Sequence, residues 1–357
     1  VISNISAVGT GGWLSAGIWV EDSIALFDTV SVDRSDTGIW VQHINQSMST
    51  RPTFWDTTVT NSMYRGVMVE QSNRSNFNTP LNAIFDNLEV RDSGGPGAKT
   101  PGLCYHAIGV NTSGIDLTNS RAIDNACNGF KGYMIDSATI VDNLTIVNSG
   151  NPVSSNNNDR AGLFLRSANW ASQFRNISVS DSPGDGIHLS KASLQGYGWS
   201  SDNNTGHGMY VDESHPDVTG ILVENNGLNG LRVYDSSNVE LYDLVSADNG
   251  DLAMIPEQGV GLSFEKSNDA ISGNKNVSCI RCSSTNDAWG GVRIENSIDL
   301  QLHDLEVTDP GNGALAVEVD NSALNFDGSV EIQGLDVQAN RTGPIVQLVD
   351  AEAQLSD

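Results

Sequence analysis

His188, Tyr210 and Arg232 recur at intervals of 22 residues, each at the third position of a glycine-led hydrophobic run. The runs read Gly186-Ile-His-Leu189, Gly208-Met-Tyr-Val211 and Gly230-Leu-Arg-Val233. Histidine takes or gives a proton near neutral pH, tyrosine donates one, and arginine neutralises a carboxylate. Set side by side, these three types suit proton abstraction from a carbon next to a carboxylate. Lys191 and Asp212 extend the candidate catalytic set, and His215 follows within the next turns. The competing reading of the same residues is an ordinary mixed polar surface.

Such a constant spacing brings the three together only if each interval is one turn of a solenoid. The glycine-led run recurs along the chain, at Gly17-Ile-Trp-Val20, Gly38-Ile-Trp-Val41, Gly66-Val-Met-Val69 and Gly162-Leu-Phe-Leu165. It returns at Gly132-Tyr-Met-Ile135, Gly261-Leu-Ser-Phe264 and Gly291-Val-Arg-Ile294, with looser versions at Ala107-Ile-Gly-Val110 and Ala314-Leu-Ala-Val317. A second marker, such as Asn143-Leu-Thr-Ile146 or Asp304-Leu-Glu-Val307, closes each coil, and a weaker strand such as Val239-Glu-Leu241 lies between. The pattern predicts an all-β fold, a single-stranded parallel β-helix of about twelve coils with three short strands each. A leucine-rich repeat would need its own consensus, and a propeller blade roughly twice the period.

Side chains alternate along a strand, so the third residue of each run points outward. The outward row reads Trp19, Trp40, Met68, Gly109, Met134 and Phe164, then His188, Tyr210, Arg232, Ser263 and Arg293. For the apolar members Trp19, Trp40, Met68, Met134 and Phe164 three readings stand open. Loops cover them, another chain or domain packs on them, or they form a platform on which sugar rings stack. Long insertions flank this row at 93–106, 148–160, 248–260 and 283–290 before the strand, and at 42–52 and 71–82 after it. Insertions gathered on one side of a solenoid mark its binding side. Asn and Asp before the second marker (Asp86-Asn87, Asp142-Asn143, Asn176, Asp243, Asp304) predict a corner ladder that satisfies backbone groups of the bend.

With 44 acidic residues against 18 basic ones, the net charge of −26 argues against nucleic acid and anionic membranes as partners. A polyanionic ligand would need Ca²⁺, the one cofactor in view, or a local basic cluster. No stretch reaches the length of an apolar membrane span. Four cysteines, Cys104, Cys127, Cys279 and Cys282, give neither a disulfide framework nor a zinc pattern, and read as buried thiols or disulfides. Nine Asn-x-Ser/Thr sequons are compatible with secretion, to the extracellular space or cell surface. Residues 1–357 read as one β-helix domain whose two ends look open, the expectation for a segment of a larger extracellular protein.

These repeated runs resemble those of the pectate lyase-like β-helix superfamily over nearly the whole chain. The resemblance implies a right-handed helix and, for enzymes of that class, a polysaccharide cleft on the face just described. The superfamily also holds tailspikes, adhesins and surface-layer modules. Gly206-His207-Gly208 and Arg293-Ile294-Glu295 resemble polygalacturonase elements, but the Asn-Thr-Asp and Asp-Asp motifs of that family are missing. The Tyr-Gly-Phe-Asp-Pro-His motif of alginate epimerases is missing too. Two functions follow as expectations. The first is a structural or adhesive rod, or glycan-contacting scaffold, partnered by polysaccharide or a neighbouring chain. The second is a polysaccharide lyase or uronate C5-epimerase using the His188/Tyr210/Arg232 column.

Overall fold

The computed structural model describes residues 1–9, 15–43, 51–71, 82–94, 106–135, 139–150, 160–252, 259–265, 275–297, 299–311, 315–320, 329–338, 346–349 and 352–356. Much of the predicted insertions, including 44–50, 72–81, 95–105, 151–159 and 253–258, lies outside the described residues. All regular elements among them are strands in two parallel sheets. Successive strands alternate between the sheets except where Leu300–His303 is followed by Glu306–Thr308 and Ser329–Gln333 by Asp336–Gln338 in the first sheet. The chain divides into two compact units, Val1–Gly184 with Ala192–Gln195, and Asp185–Lys191 with Gly196–Asp357.

In the first unit one sheet runs from Ile2–Val8 through Leu26–Asp33, Thr53–Thr60, Asn82–Arg91, Gly114–Ile123 and Ile140–Val147 to Gln173–Ser180. The second sheet holds Ala16–Glu21, Thr37–His43, Arg65–Gln71, Ile108–Asn111, Phe130–Tyr133 and Leu163–Arg166. In the second unit the first sheet continues the same pattern from His215–Glu224 to Glu352–Ser356. Its second sheet runs Ile187–Ser190, Met209–Asp212, Leu231–Tyr234, Val260–Glu265, Gly290–Glu295, Val317–Asp320 and Val346–Val349.

Each coil has three sides because the long strand of the first sheet bends at one left-handed residue. Asn87, Asn119, Asn143, Asn176 and Asp243 all have φ between 50° and 59° there. Asn and Asp tolerate that conformation better than other non-glycine residues. The predicted corner ladder exists, but its bonds run between side chains of neighbouring coils. Asn87 Nδ2 donates to Asp56 Oδ1 at 2.7 Å, Asn119 to Asp86 at 3.0 Å, and Asn176 to Asp142 at 2.8 Å. Asn143 Nδ2 donates to Asn119 Oδ1 at 2.9 Å. Asn143 and Asn176 are also sequon asparagines, so the nitrogen that a glycan would occupy is already engaged in the ladder.

A second ladder is buried. In the second unit Asn226 Oδ1 accepts from the backbone N–H of Asn204 at 3.1 Å and from its Nδ2 at 2.9 Å. Asn249 Oδ1 accepts the same pair from Asn226, and Asp287 Oδ1 accepts it from Asn249. These amides satisfy the turn that leads into the glycine-led strand, where water has no access.

Inside the coils, like side chains stack. Phe27, Phe54 and Phe85 lie parallel at centroid distances of 4.5 and 4.7 Å, and Trp199 is the largest buried side chain of the second unit. The leading glycine is needed because the next coil approaches so closely. A Cβ on Gly38 would lie 2.2 Å from Val59 Cγ1 and 2.4 Å from the carbonyl oxygen of Gly66. Gly38→Ala is therefore expected to destabilise the fold by about 2 kcal/mol, seen as a lower urea midpoint.

Two repeats start elsewhere than their sequence suggests. Phe130 pairs with Leu163 and Gly132 with Leu165, so the run in that coil is Gly129-Phe-Lys-Gly132, and Lys131 points outward. Gly132 sits at an inward position, and the Ile135 side chain fills its place, 2.5 Å from where a Cβ would be. Met134 is instead the left-handed corner residue, with φ 49°. Likewise Val292 pairs with Val317, which makes the later run Ala316-Val-Glu-Val319. Ala314 lies outside the described residues.

Cys279 and Cys282 form a disulfide inside the coil, with Cα atoms 6.0 Å apart, and Cys127 is also disulfide-bonded. Cys104 lies outside the described residues. Among them no helix is long and apolar enough to cross a membrane.

Candidate functional site

The outward row of the second sheet is real in each unit, because the strands pair in register. In the second unit it runs His188, Tyr210, Arg232, Ser263, Arg293 and Glu318. His188 and Tyr210 are in tilted contact, 4.7 Å between ring centroids with 41° between planes, and the Arg232 guanidinium carbon lies 5.3 Å from the Tyr210 centroid. The spacing of 22 residues thus delivers the predicted contact between the three.

Their chemical state differs from that of an exposed polar surface. His188 is only 3% exposed. Burial pushes its pKa down to about 3, so the imidazole stays neutral at physiological pH. Burial, then the nearby Asp212 carboxylate, pushes the Tyr210 phenol up, and it stays protonated. Burial alone would lower the Arg232 pKa, but Glu265, together with Tyr210 and Asp185, offsets this and holds it above the usual value. The Arg232 Nη2–Glu265 Oε2 contact is 2.8 Å, and Ser263 Oγ donates to the other carboxylate oxygen. The column therefore offers proton donors and a charge already neutralised, with no strong base.

The remaining candidates sit apart from this stack. Lys191, at the bend after its strand, pairs with Glu213 at 3.0 Å, and both are half exposed. Asp212 belongs to the neighbouring row and accepts from Ser190 Oγ at 3.4 Å. Burial, then Glu213, raises its pKa. His215 opens a strand of the first sheet, where its Nδ1 meets Ser237.

Three partners of this column were not assigned to it by the sequence reading. Asp185 Oδ2 lies 3.5 Å from His188 Nδ1, and its Oδ1 accepts the backbone N–H of His207 at 2.9 Å. His207, the histidine of the Gly-His-Gly element, is buried, and its Nδ1 accepts from the Asn229 N–H at 3.2 Å. It packs coil against coil and is held neutral by burial, then by Arg232 and His188. Glu265 is the third. Its register opposite Tyr234 places it diagonally across from Arg232, a signal available only once the coil lengths are known.

In the first unit the row reads Trp19, Trp40, Met68, Gly109, Lys131 and Phe164. Trp19 and Trp40 stack at 5.7 Å with 15° between planes. Trp19 is 60% exposed, whereas Met68 and Phe164 are buried. The apolar row thus narrows to one accessible pair, and Met134 is not part of it. Trp40 Nε1 donates to Glu70 Oε1 at 3.0 Å, which fixes the indole. Among the described residues, no group of three or more His, Cys, Asp or Glu could hold a metal ion.

Residues 161–330 match the family model of the right-handed beta helix region. No curated protein matches the sequence. Among solved structures, the periplasmic alginate epimerase AlgG is similar with a TM-score of 0.58 at 11% identity, over 81% of this chain and 74% of that one. The Dettilon tailspike protein gives a TM-score of 0.43 at 12% identity, over 93% of this chain and 61% of that one. The catalytic domain of a GH87 alpha-1,3-glucanase, solved with tetrasaccharides, gives 0.43 at 11% identity, over 93% and 63%. The chain thus spans less than two thirds of the last two. The fold is a right-handed parallel β-helix.

Proposed function

We propose that the chain is a β-helix module of an extracellular or cell-surface protein that contacts glycan through the stacked Trp19–Trp40 pair. That stacked pair, with Trp19 exposed, Trp40 half-buried and the Trp40 indole held by Glu70, is the observation that carries the reading. Flat aromatic faces give the apolar side of a sugar ring a rigid partner, and a carboxylate beside them accepts from ring hydroxyls. The disulfides fit an oxidising compartment. Fold likeness leaves activity open, so the site alone supports this role.

Catalysis as a lyase or C5-epimerase has one observation in its favour, the contact between His188, Tyr210 and Arg232. It is weakened by the cover over His188 and by the Glu265 carboxylate already on Arg232. Trp19→Ala should weaken binding to a glycan that the intact protein retains by about tenfold, read by calorimetry. Unchanged affinity would remove the platform. Polyuronates incubated with and without Ca²⁺ should give no unsaturated product by ultraviolet absorbance and no change in uronate configuration by NMR. Turnover that is lost in Tyr210→Phe would replace the contact reading with the catalytic one.

A further inference from the structure

We propose that Lys131 and Arg166 form a subsite for an anionic sugar unit, a uronate or a sulfated sugar, on the outer face of the first unit's second sheet. The inference rests on the glycan reading above and names the ligand class. Lys131 pairs with Phe164 and Tyr133 with Arg166 on adjacent strands. The inward residues Phe130, Gly132, Leu163 and Leu165 alternate with them, so all four lie on the outer side.

Each cation lies beside an aromatic ring. The Arg166 guanidinium carbon is 5.6 Å from the Tyr133 centroid, and Lys131 Nζ is 5.6 Å from that of Phe164. A guanidinium held over a ring keeps its N–H edge free for a planar acceptor, the geometry that favours carboxylate and sulfate. Among the described residues Arg166 makes no ion pair, unlike Arg232 and Arg293, which meet Glu265 and Glu295. Tyr133 is exposed and offers a stacking face next to the charge.

The neighbouring coils add to the positive field. His106 occupies the space above Gly109, where a Cβ would lie 2.0 Å from its Nε2. Burial, then the charges of Arg65 and Lys131, holds that imidazole neutral. Lys131 and Arg166, set diagonally on adjacent paired strands, run against the sign of a chain with net charge −26 and supply the local basic cluster a polyanion requires.

The test is calorimetry of the full chain with tetragalacturonate, its fully methyl-esterified form, and a heparin-derived sulfated tetrasaccharide. At least one anionic probe should bind more tightly than the neutral ester. Arg166→Gln and Lys131→Met should each weaken that binding by about tenfold, while Arg166→Lys retains part of it. Circular dichroism should be unchanged, since both side chains are partly exposed. Equal affinity for acid and ester, or anionic binding that survives the double variant, overturns the subsite. Binding of the ester alone overturns it and leaves the Trp19–Trp40 reading standing. Binding of none of the probes by any variant overturns both.

Discussion

Asp287→Asn is expected to stabilise the protein near neutral pH by about 3 kcal/mol, since burial pushes the carboxyl from 3.8 up to about 6. Asp287 ends the buried ladder. Its Oδ1 accepts from the Asn249 N–H and Nδ2, and Ser284 Oγ donates to Oδ2 at 2.6 Å. An Asn keeps the acceptor that Asn249 uses and turns the other atom into a donor for Ser284. No charge then has to be held away from water.

The sign of the pH dependence follows from the raised folded value. Below 3.8 both the folded and unfolded chains carry the proton, and the stability is fully present. Between 3.8 and about 6 only the unfolded chain ionises, so stability falls as pH rises and levels off above the folded value. Urea denaturation of both proteins from acid to neutral pH should show a gap that opens over this window. A parallel offset at all pH values would mean that Asp287 does not titrate there.

Glu265→Ala is expected to cost about 3 kcal/mol, because it leaves the Arg232 charge largely buried without its carboxylate. Both side chains of this pair are mostly covered, at 12% and 25% exposure, and Ser263 adds a hydrogen bond. The exposed Arg281–Asp243 pair provides the contrast. Its members sit at the corner in solvent, and Asp243→Asn, which removes the charge but keeps a residue type that tolerates the left-handed bend, should leave the urea midpoint in place. Replacing both Arg232 and Glu265 by Met should recover much of the loss, since no charge then remains to be desolvated. If the single and double variants are equally unstable, the cost lies in lost packing rather than in the stranded charge.

Both effects come from burial of a charge, at a turn for Asp287 and on the outer face of the second sheet for Arg232 and Glu265. Three-sided coils bury their turns as well as their strands, so polar groups at the turns must be satisfied by the neighbouring coil. Asn does this without charge at positions 204, 226 and 249, while Asp287 does it with a carboxyl that resists ionisation.

Much of this was legible in the residues themselves. A solenoid repeats one local problem, the close approach of a glycine to the coil above, so period, strand identity and outward positions are written in every repeat. That is why His188, Tyr210 and Arg232 could be placed together from their spacing alone. The phase of a repeat is less secure wherever two glycines compete. Gly129 and Gly132 both fit the pattern, and only the packing of Ile135 into the core decided for Gly129, moving Met134 off the face and Lys131 onto it. Tertiary structure also decided the charge state of the site. Whether His188 is covered, Arg232 is matched by Glu265, or Lys131 and Arg166 gather beside aromatic rings depends on contacts between coils. Insertions of unequal length separate those coils, and sequence spacing does not record which side chains then meet.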